Sequence, residues 1–370
     1  MITNHLRSRI GFEVELIAPK GLSRRNLADA IARLHNGEVI RFFHAQAEPI
    51  KLPDTPIFEN LTLGFKVVGP GQKLIALCVD DLTLQSDLDK SAASKEGWYR
   101  IVSDDARFLE LVVCQCDAGL PIKQVLTKLA HLYRTDLQVD RSGMCRVVDQ
   151  SNHSIAIAAP LPGERERACE LVTAPIKTDH HQQLSEFLCL AKDLAYTIPV
   201  EGATHLHFEA LSFHSAQTIK NIVNLFDDHD QLLRRLFKTN IHCTRLGQWP
   251  QSLFNLVAQP SFTLLAWPEA KRQLQELPIT KYCNYNLANI IHEIKEKPTF
   301  EVRILPSSLE ALDIINAACV VEALLTIACS SINIERLGPV GTDNKSILAF
   351  LNEINIDTSV RDFYCSRFRP

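Results

Sequence analysis

Three segments of this chain alternate strictly between apolar and ionisable residues. "GFEVEL" sets Phe12, Val14 and Leu16 against Glu13 and Glu15. "ATHLHFEAL" sets Leu206, Phe208 and Ala210 against His205, His207 and Glu209, and "TFEVRIL" sets Phe300, Val302 and Ile304 against Glu301 and Arg303. Successive side chains of a strand point to opposite faces, so each segment reads as a strand with one packed face and one chemical face. "CELVTAPI" adds Glu170 at the start of a fourth. If the four share a sheet, its apolar face packs on helices and its other face collects the carboxylates, the imidazoles and Arg303.

Any one of these segments is consistent with an ordinary solvated strand face. The set is harder to read that way. Glutamate is depleted in strands, and crowded carboxylates raise one another's pKa unless cations bind. Hard divalent ions take carboxylate oxygens readily, and histidine can join as a ligand or a phosphate contact. Carboxylates holding Mg²⁺ or Mn²⁺ beside an arginine suit phosphoryl transfer. No Walker-type or kinase-type glycine motif is present, so any ATP must be held by this sheet. Two other readings stay open: a metal-dependent hydrolase using the His205–His207 pair on zinc, and a non-catalytic binding protein on the same fold. Glutamates form a harder ligand set than zinc prefers.

The remaining pattern mixes strands and helices without a regular βαβ order. Ser23 caps a helix whose Leu27, Ile31 and Leu34 share a face and which Gly37 ends. Residues 38–68 read as short strands between turns at Pro49, Pro53 and Pro56. A further helix places Val125, Leu129 and Leu132 on one face. Residues 240–280 read as irregular and the last 60 as mainly helical. The expected fold is α+β, a curved and largely antiparallel sheet with helices on its outer face. A single catalytic domain over 1–370 is expected, with 55–130 a family-specific lobe of it and 310–370 a helical C-terminal region. Asp80, Asp81, Asp104 and Asp105 read as turn and cap residues.

The net charge of −4 and the absence of a long basic stripe argue against nucleic acid as partner. The apolar run 314–334 approaches the length of a membrane span, but Glu322 at its centre favours a buried helix over a membrane partner. No signal-type apolar stretch opens the sequence and its eleven cysteines follow no spacing, so reduced thiols and a cytoplasmic location are expected. The pair Cys114 and Cys116 has no second such pair to complete a zinc site.

Taken in order, "GFEVEL", "DQS…CELVTAPI", "THLHFEA", "KYCNYNL" and "TFEVRILPSSLEAL" resemble the amidoligase family. The family is grouped with glutamine synthetase and gamma-glutamylcysteine ligase among the carboxylate–amine ligases. The resemblance runs from about residue 10 to 320, and the order of the motifs is its specific part. It implies an incomplete barrel of antiparallel strands that binds ATP and divalent cations. A substrate carboxylate would take the terminal phosphoryl group, and an amine would open the acyl phosphate to give an amide. By the same resemblance Glu13, Glu15, Glu170, His205 and Glu301 are metal ligands, His207 lies by the nucleotide phosphates, and Arg303 stabilises the transferred phosphoryl. Lys281 is implied as a phosphate contact, with Asn286 to orient it or cap the next helix. Asp149, Ser151 and Arg245 are implied as substrate contacts, with Arg234 and Arg235 as further candidates. Small-molecule or peptide carboxylates and amines are the implied substrates, and relatives that assemble make a homo-oligomer an open expectation.

Overall fold

The computed structural model describes residues 6–47, 59–161, 163–243, 245–293, 298–330, 337 and 341–368. The turns expected at Pro49, Pro53 and Pro56 lie outside the described residues, as does the end of the apolar run at 331–334. The strands are β1 (Ile10–Ile17), β2 (Glu38–Ala47), β3 (Glu59–Gly69), β4 (Lys73–Val79), β5 (Tyr99–Ser103), β6 (Gln138–Val139), β7 (Cys145–Val148), β8 (Ser154–Pro160), β9 (Ala168–Thr173), β10 (Ala203–Glu209), β11 (Tyr285–Asn286) and β12 (Thr299–Pro306). The helices are α1 (Arg24–Leu34), α2 (Ala106–Gln115), α3 (Ile122–Leu132), α4 (His180–Asp193), α5 (Ala216–Asp228), α6 (Asp230–Phe237), α7 (Gln251–Val257), α8 (Trp267–Gln275), α9 (Ala288–Ile291), α10 (Ala311–Cys329), α11 (Asn344–Glu353) and α12 (Thr358–Phe368).

The fold is α+β. The strands make one open antiparallel sheet in the order β11-β12-β10-β1-β9-β4-β3-β5-β8-β7-β6, with β2 paired to β3. Where one domain is expected from the sequence, the chain clusters into two compact units. Unit 1 is Met1–Val14, Pro175–Leu188 and Glu201–Pro370; unit 2 is Glu15–Ala174 and Cys189–Val200.

In unit 1, β10 lies between β1 and β12. Glu13 faces His205, and His207 faces Glu301. The pairing of β10 with β12 shifts by one between Thr204 and Leu206, because Thr204 faces Leu305 while Leu206 faces Val302. Arg303 and Ile304 therefore stand opposite His205 alone, which is a β-bulge. The apolar face is sealed: Phe12, Leu206, Phe208, Phe300, Val302 and Ile304 are all fully buried. Phe226 of α5 packs on Phe300 and Tyr285 with ring centroids at 5.1 and 4.9 Å. Each such buried aromatic contributes about 2–3 kcal/mol by transfer alone.

α10 is long and apolar enough to cross a membrane by composition, yet more than half of it is buried within the protein. Its central Glu322 accepts the backbone N–H groups of Arg7 and Ser8 at 2.9 and 2.6 Å. The carboxylate thus satisfies the backbone leading into β1. The segment 240–280, expected to be irregular, contains α7 and α8. Two of its four prolines sit at helix starts, Pro250 just before α7 and Pro268 in the first turn of α8, where proline is tolerated.

In unit 2, β3 is the branch point. One edge carries β2 along its whole length; the other carries β5 on Glu59–Thr62 and β4 on Phe65–Gly69. Leu109, Val112, Leu126 and Leu129 of α2 and α3 join Leu61, Ile101 and Val147 in one core. Leu132 departs from the expected face and is 65% exposed, as is Leu34 at 49%. Both end their helices, past the packed stripe. Ser23 precedes α1 in extended conformation, and Asn26 Oδ1 accepts its N–H at 2.8 Å. Gly37 follows the helix where a Cβ would collide with the Val68 carbonyl.

Candidate functional site

Apart from Glu209, the ionisable residues of the three alternating strands are not solvated. Glu13, Glu15, His205, His207, Glu301 and Arg303 are all buried, none more than 7% exposed. Burial at this level demands partners, and in unit 1 these residues find one another. His205 Nδ1 lies 3.1 Å from Glu13 Oε2 and 3.6 Å from Glu301 Oε1. Arg303 Nη1 donates to Glu301 Oε1 at 2.5 Å. Asn286 Nδ2 donates to Glu301 Oε2 at 2.7 Å, while its Oδ1 accepts the Ala288 N–H and so starts α9. Asn286 therefore orients a carboxylate instead of Lys281, and its turn lies one residue ahead of Leu287, which is the N-cap of α9.

His207 is the most informative member. Its Nδ1 sits 3.1 Å from Thr299 Oγ1, a hydroxyl that can accept from that nitrogen or donate to it. Its Nε2 lies 3.1 Å from Glu13 Oε1 and 3.9 Å from Glu301 Oε1, without a hydrogen bond of good geometry to either. Two carboxylates converge on this nitrogen, and their mutual repulsion is relieved by positive charge among the three side chains. Donor atoms of Glu13, His207 and Glu301 all fall within 4.8 Å of one another. A second imidazole nitrogen engaged by a hydroxyl, with the first left for a cation, is the usual arrangement of a metal-binding histidine. The site thus fits a divalent cation, and it includes His207, which the resemblance sets beside the phosphates.

The electrostatics follow. Burial, then the Arg303 charge, outweigh the Glu13 hydrogen bond and push His205 down to about 4. It is a neutral imidazole at neutral pH. Burial works to raise the Glu301 carboxyl, but Arg303 and both histidines together hold it well below the usual carboxylate range. Burial lowers Arg303, yet Glu301 brings its pKa above the ordinary arginine value; the nearby Arg245 charge opposes that rise. Arg245, half-buried, is thereby close enough to act on Arg303, and a pair of guanidiniums suits an anion.

Unit 2 holds a carboxylate trio. Donor oxygens of Glu15, Asp81 and Glu170 lie within 4.8 Å of one another. Glu170 faces Val79 at the end of β4, two residues before Asp81. Asp81 does hold its turn, accepting the Thr83 N–H at 2.8 Å and the Thr83 hydroxyl at 2.5 Å. It also brings a carboxylate to Glu15 and Glu170, a role invisible in the sequence. The loop is fixed from below by buried ions: Arg165 Nη2 donates to Asp80 Oδ1 and to the Asp81 carbonyl, both at 2.6 Å. Fully buried Arg24 lies 3.7 Å from the same Asp80.

Other candidates stand apart. Asp149 Oδ1 accepts the N–H groups of Ser151 and His153 at 2.8 Å, an Asx-type turn between β7 and β8. Lys281 is exposed and lies over the Tyr282 ring at 5.4 Å. Arg235 donates to Asn344 Oδ1 at 2.8 Å. Glu209 is exposed at the end of β10.

A family model described as "Putative amidoligase enzyme" matches residues 6–325 of the chain. No curated protein and no solved structure matches it.

Proposed function

The chain belongs to the amidoligase family, and on that premise we propose that it is an ATP-dependent carboxylate–amine ligase. The observation that carries the reading is the convergence of His207 Nε2 on Glu13 and Glu301, with Arg303 bonded to Glu301. Glu13, His207, Glu301 and His205 would hold one cation set, and Glu15, Asp81 and Glu170 another. Mg²⁺ or Mn²⁺ bound there would neutralise phosphate oxygens of ATP. The carboxylate-rich donor set favours these ions over zinc.

In this reading a substrate carboxylate attacks the terminal phosphorus of ATP and ADP departs. The resulting acyl phosphate is opened by an amine, giving an amide and phosphate. Arg303 keeps its charge throughout, and its Nε has no hydrogen-bond partner, so it retains a donor for the transferred phosphoryl group. Arg245 adds a second positive charge to the same neighbourhood. Asn286 and Thr299 hold Glu301 and His207 in place and would raise their precision as ligands.

A thermal-shift titration tests this. ATP analogue with Mg²⁺ should raise the melting temperature, since a ligand of the native state alone stabilises it. ADP release should then appear across a panel of carboxylates and amines. Stoichiometric zinc in the purified protein, with no nucleotide shift, would overturn the ligase reading in favour of a hydrolase.

A further inference from the structure

In unit 1 the short strand β11 and the residue before it support the charged cluster through the backbone. The Asn284 carbonyl accepts the Arg303 N–H at 2.9 Å, Tyr285 faces Val302, and Asn286 faces Glu301. The Asn284 N–H in turn donates to the Gly247 carbonyl at 2.8 Å. Two residues further on, the Trp249 ring packs on Tyr285 with centroids 5.6 Å apart. Asp227, Asp230, Trp249, Asn284 and Tyr285 line a space beside these contacts with room for about one water molecule.

Two polar atoms of the lining residues have no hydrogen-bond partner. Asn284 Nδ2 donates to Asp230 Oδ1 at 2.9 Å. A carboxylate is an acceptor, so the amide is turned with its own Oδ1 as the unengaged end. That oxygen and the Trp249 indole nitrogen are both buried without a hydrogen bond, in residues 3% and 7% exposed. One is an acceptor and the other an N–H donor, yet they do not bond each other. Buried polar atoms left in this state are costly, and native proteins satisfy nearly all of them.

The atom types select the ligand. The indole N–H directs partial positive charge and disfavours a cation, whereas the carboxylates of Asp227 and Asp230 disfavour an anion. A neutral molecule that both accepts and donates, in the volume of one water, satisfies every group. Buried waters typically make about three hydrogen bonds to groups of this kind. We infer that one ordered water sits here, accepting the Trp249 N–H and donating to Asn284 Oδ1 and to a carboxylate of the lining. The water ties the segment 247–249 to Asn284 and so braces the carbonyl that holds the Arg303 N–H. Trp249 is thereby a positioning residue for Arg303, acting through Asn284. The inference stands apart from the ligase reading.

A crystal structure of the full chain, at a resolution that orders waters, tests the site directly. One water within about 3.2 Å of both Trp249 Nε1 and Asn284 Oδ1 is expected. A direct bond between the two side chains, a different molecule in the space, or no density there overturns the proposal. Amide hydrogen exchange tests the bracing. Trp249→Phe removes the N–H and keeps an aromatic ring. The Arg303 amide should then exchange about tenfold faster or more, while the amides of β1 keep their rates. An unchanged Arg303 rate, or a rise shared by all amides of unit 1, overturns the positioning role. The wild-type structure needs no variant, so it decides the water site even if Trp249→Phe does not fold.

Discussion

Glu13 and His205 face each other across neighbouring antiparallel strands, and their side chains meet at 3.1 Å. The other oxygen of the same carboxylate lies 3.1 Å from His207 Nε2. One glutamate thus touches both imidazoles of the HxH segment. Replacing it by glutamine keeps the shape and removes the charge. Glu13→Gln should weaken Mn²⁺ binding and lower ADP formation, each by about 10–100-fold or more, while the far-UV circular dichroism stays unchanged. Metal titration by electron paramagnetic resonance reads the first effect and a coupled ADP assay the second. Undiminished Mn²⁺ affinity would remove Glu13 from the ligand set.

The depressed His205 pKa links stability to pH. In the metal-free folded protein His205 titrates near 4, whereas an unfolded histidine titrates near 6.5. Below pH 6.5 the unfolded chain takes up a proton that the folded chain refuses. The contribution is therefore complete above about 6.5 and is lost as pH falls toward about 4, at up to about 1.4 kcal/mol per pH unit. Urea unfolding in chelator at several pH values should show this slope. His205→Gln should flatten it by about one proton over the same window; an unchanged slope would exclude His205 as its source.

Asn286 serves two masters, the first turn of α9 and the Glu301 carboxylate. Asn286→Leu leaves one Glu301 oxygen without its 2.7 Å donor and one backbone N–H without its acceptor. A loss of about 1–3 kcal/mol in stability is expected. The metal requirement of ADP formation should also shift, with a half-saturating Mg²⁺ concentration raised about 10–100-fold. A purely structural role would lower stability and leave that concentration untouched.

Asp80 neutralises Arg165 at 2.6 Å and lies near Arg24, all three fully or almost fully buried. Asp80→Asn strands two guanidiniums. Removing one partner of a buried ion pair costs about 3–5 kcal/mol, so the midpoint of urea unfolding should fall sharply. The double variant with Arg165→Met should recover part of that loss, because it removes the orphaned charge together with its partner.

Much of this architecture was legible as alternation. Strands β1, β9, β10 and β12 follow from period-two patterning, and their apolar faces are buried as that patterning requires. The helices with apolar stripes form, except that Leu34 and Leu132 lie past the last packed turn. What the pattern did not carry is long-range: Asp81 reads as a turn residue and fills that role, and only strand pairing brings Glu170 to its side. The same holds for Asn286, whose 2.7 Å bond to Glu301 depends on a two-residue strand. The helices within 240–280 were missed because prolines there read as breakers, although proline at a helix start breaks nothing. The burial of the charged face was also beyond sequence reading, since a polar strand face ordinarily meets water.

The bulge at Arg303 and Ile304 gives β12 two phases. Between Val302 and Leu305 the strand has one residue more than its partner, so what a deletion does depends on which residue is lost. Removing Ile304 would leave Val302 opposite Leu206 and Leu305 opposite Thr204 and mend the ladder. Removing Val302 would absorb the extra residue too, yet it would set Arg303 opposite Leu206 on the apolar face, away from Glu301. For this stretch of chain, place in the alternation outweighs length.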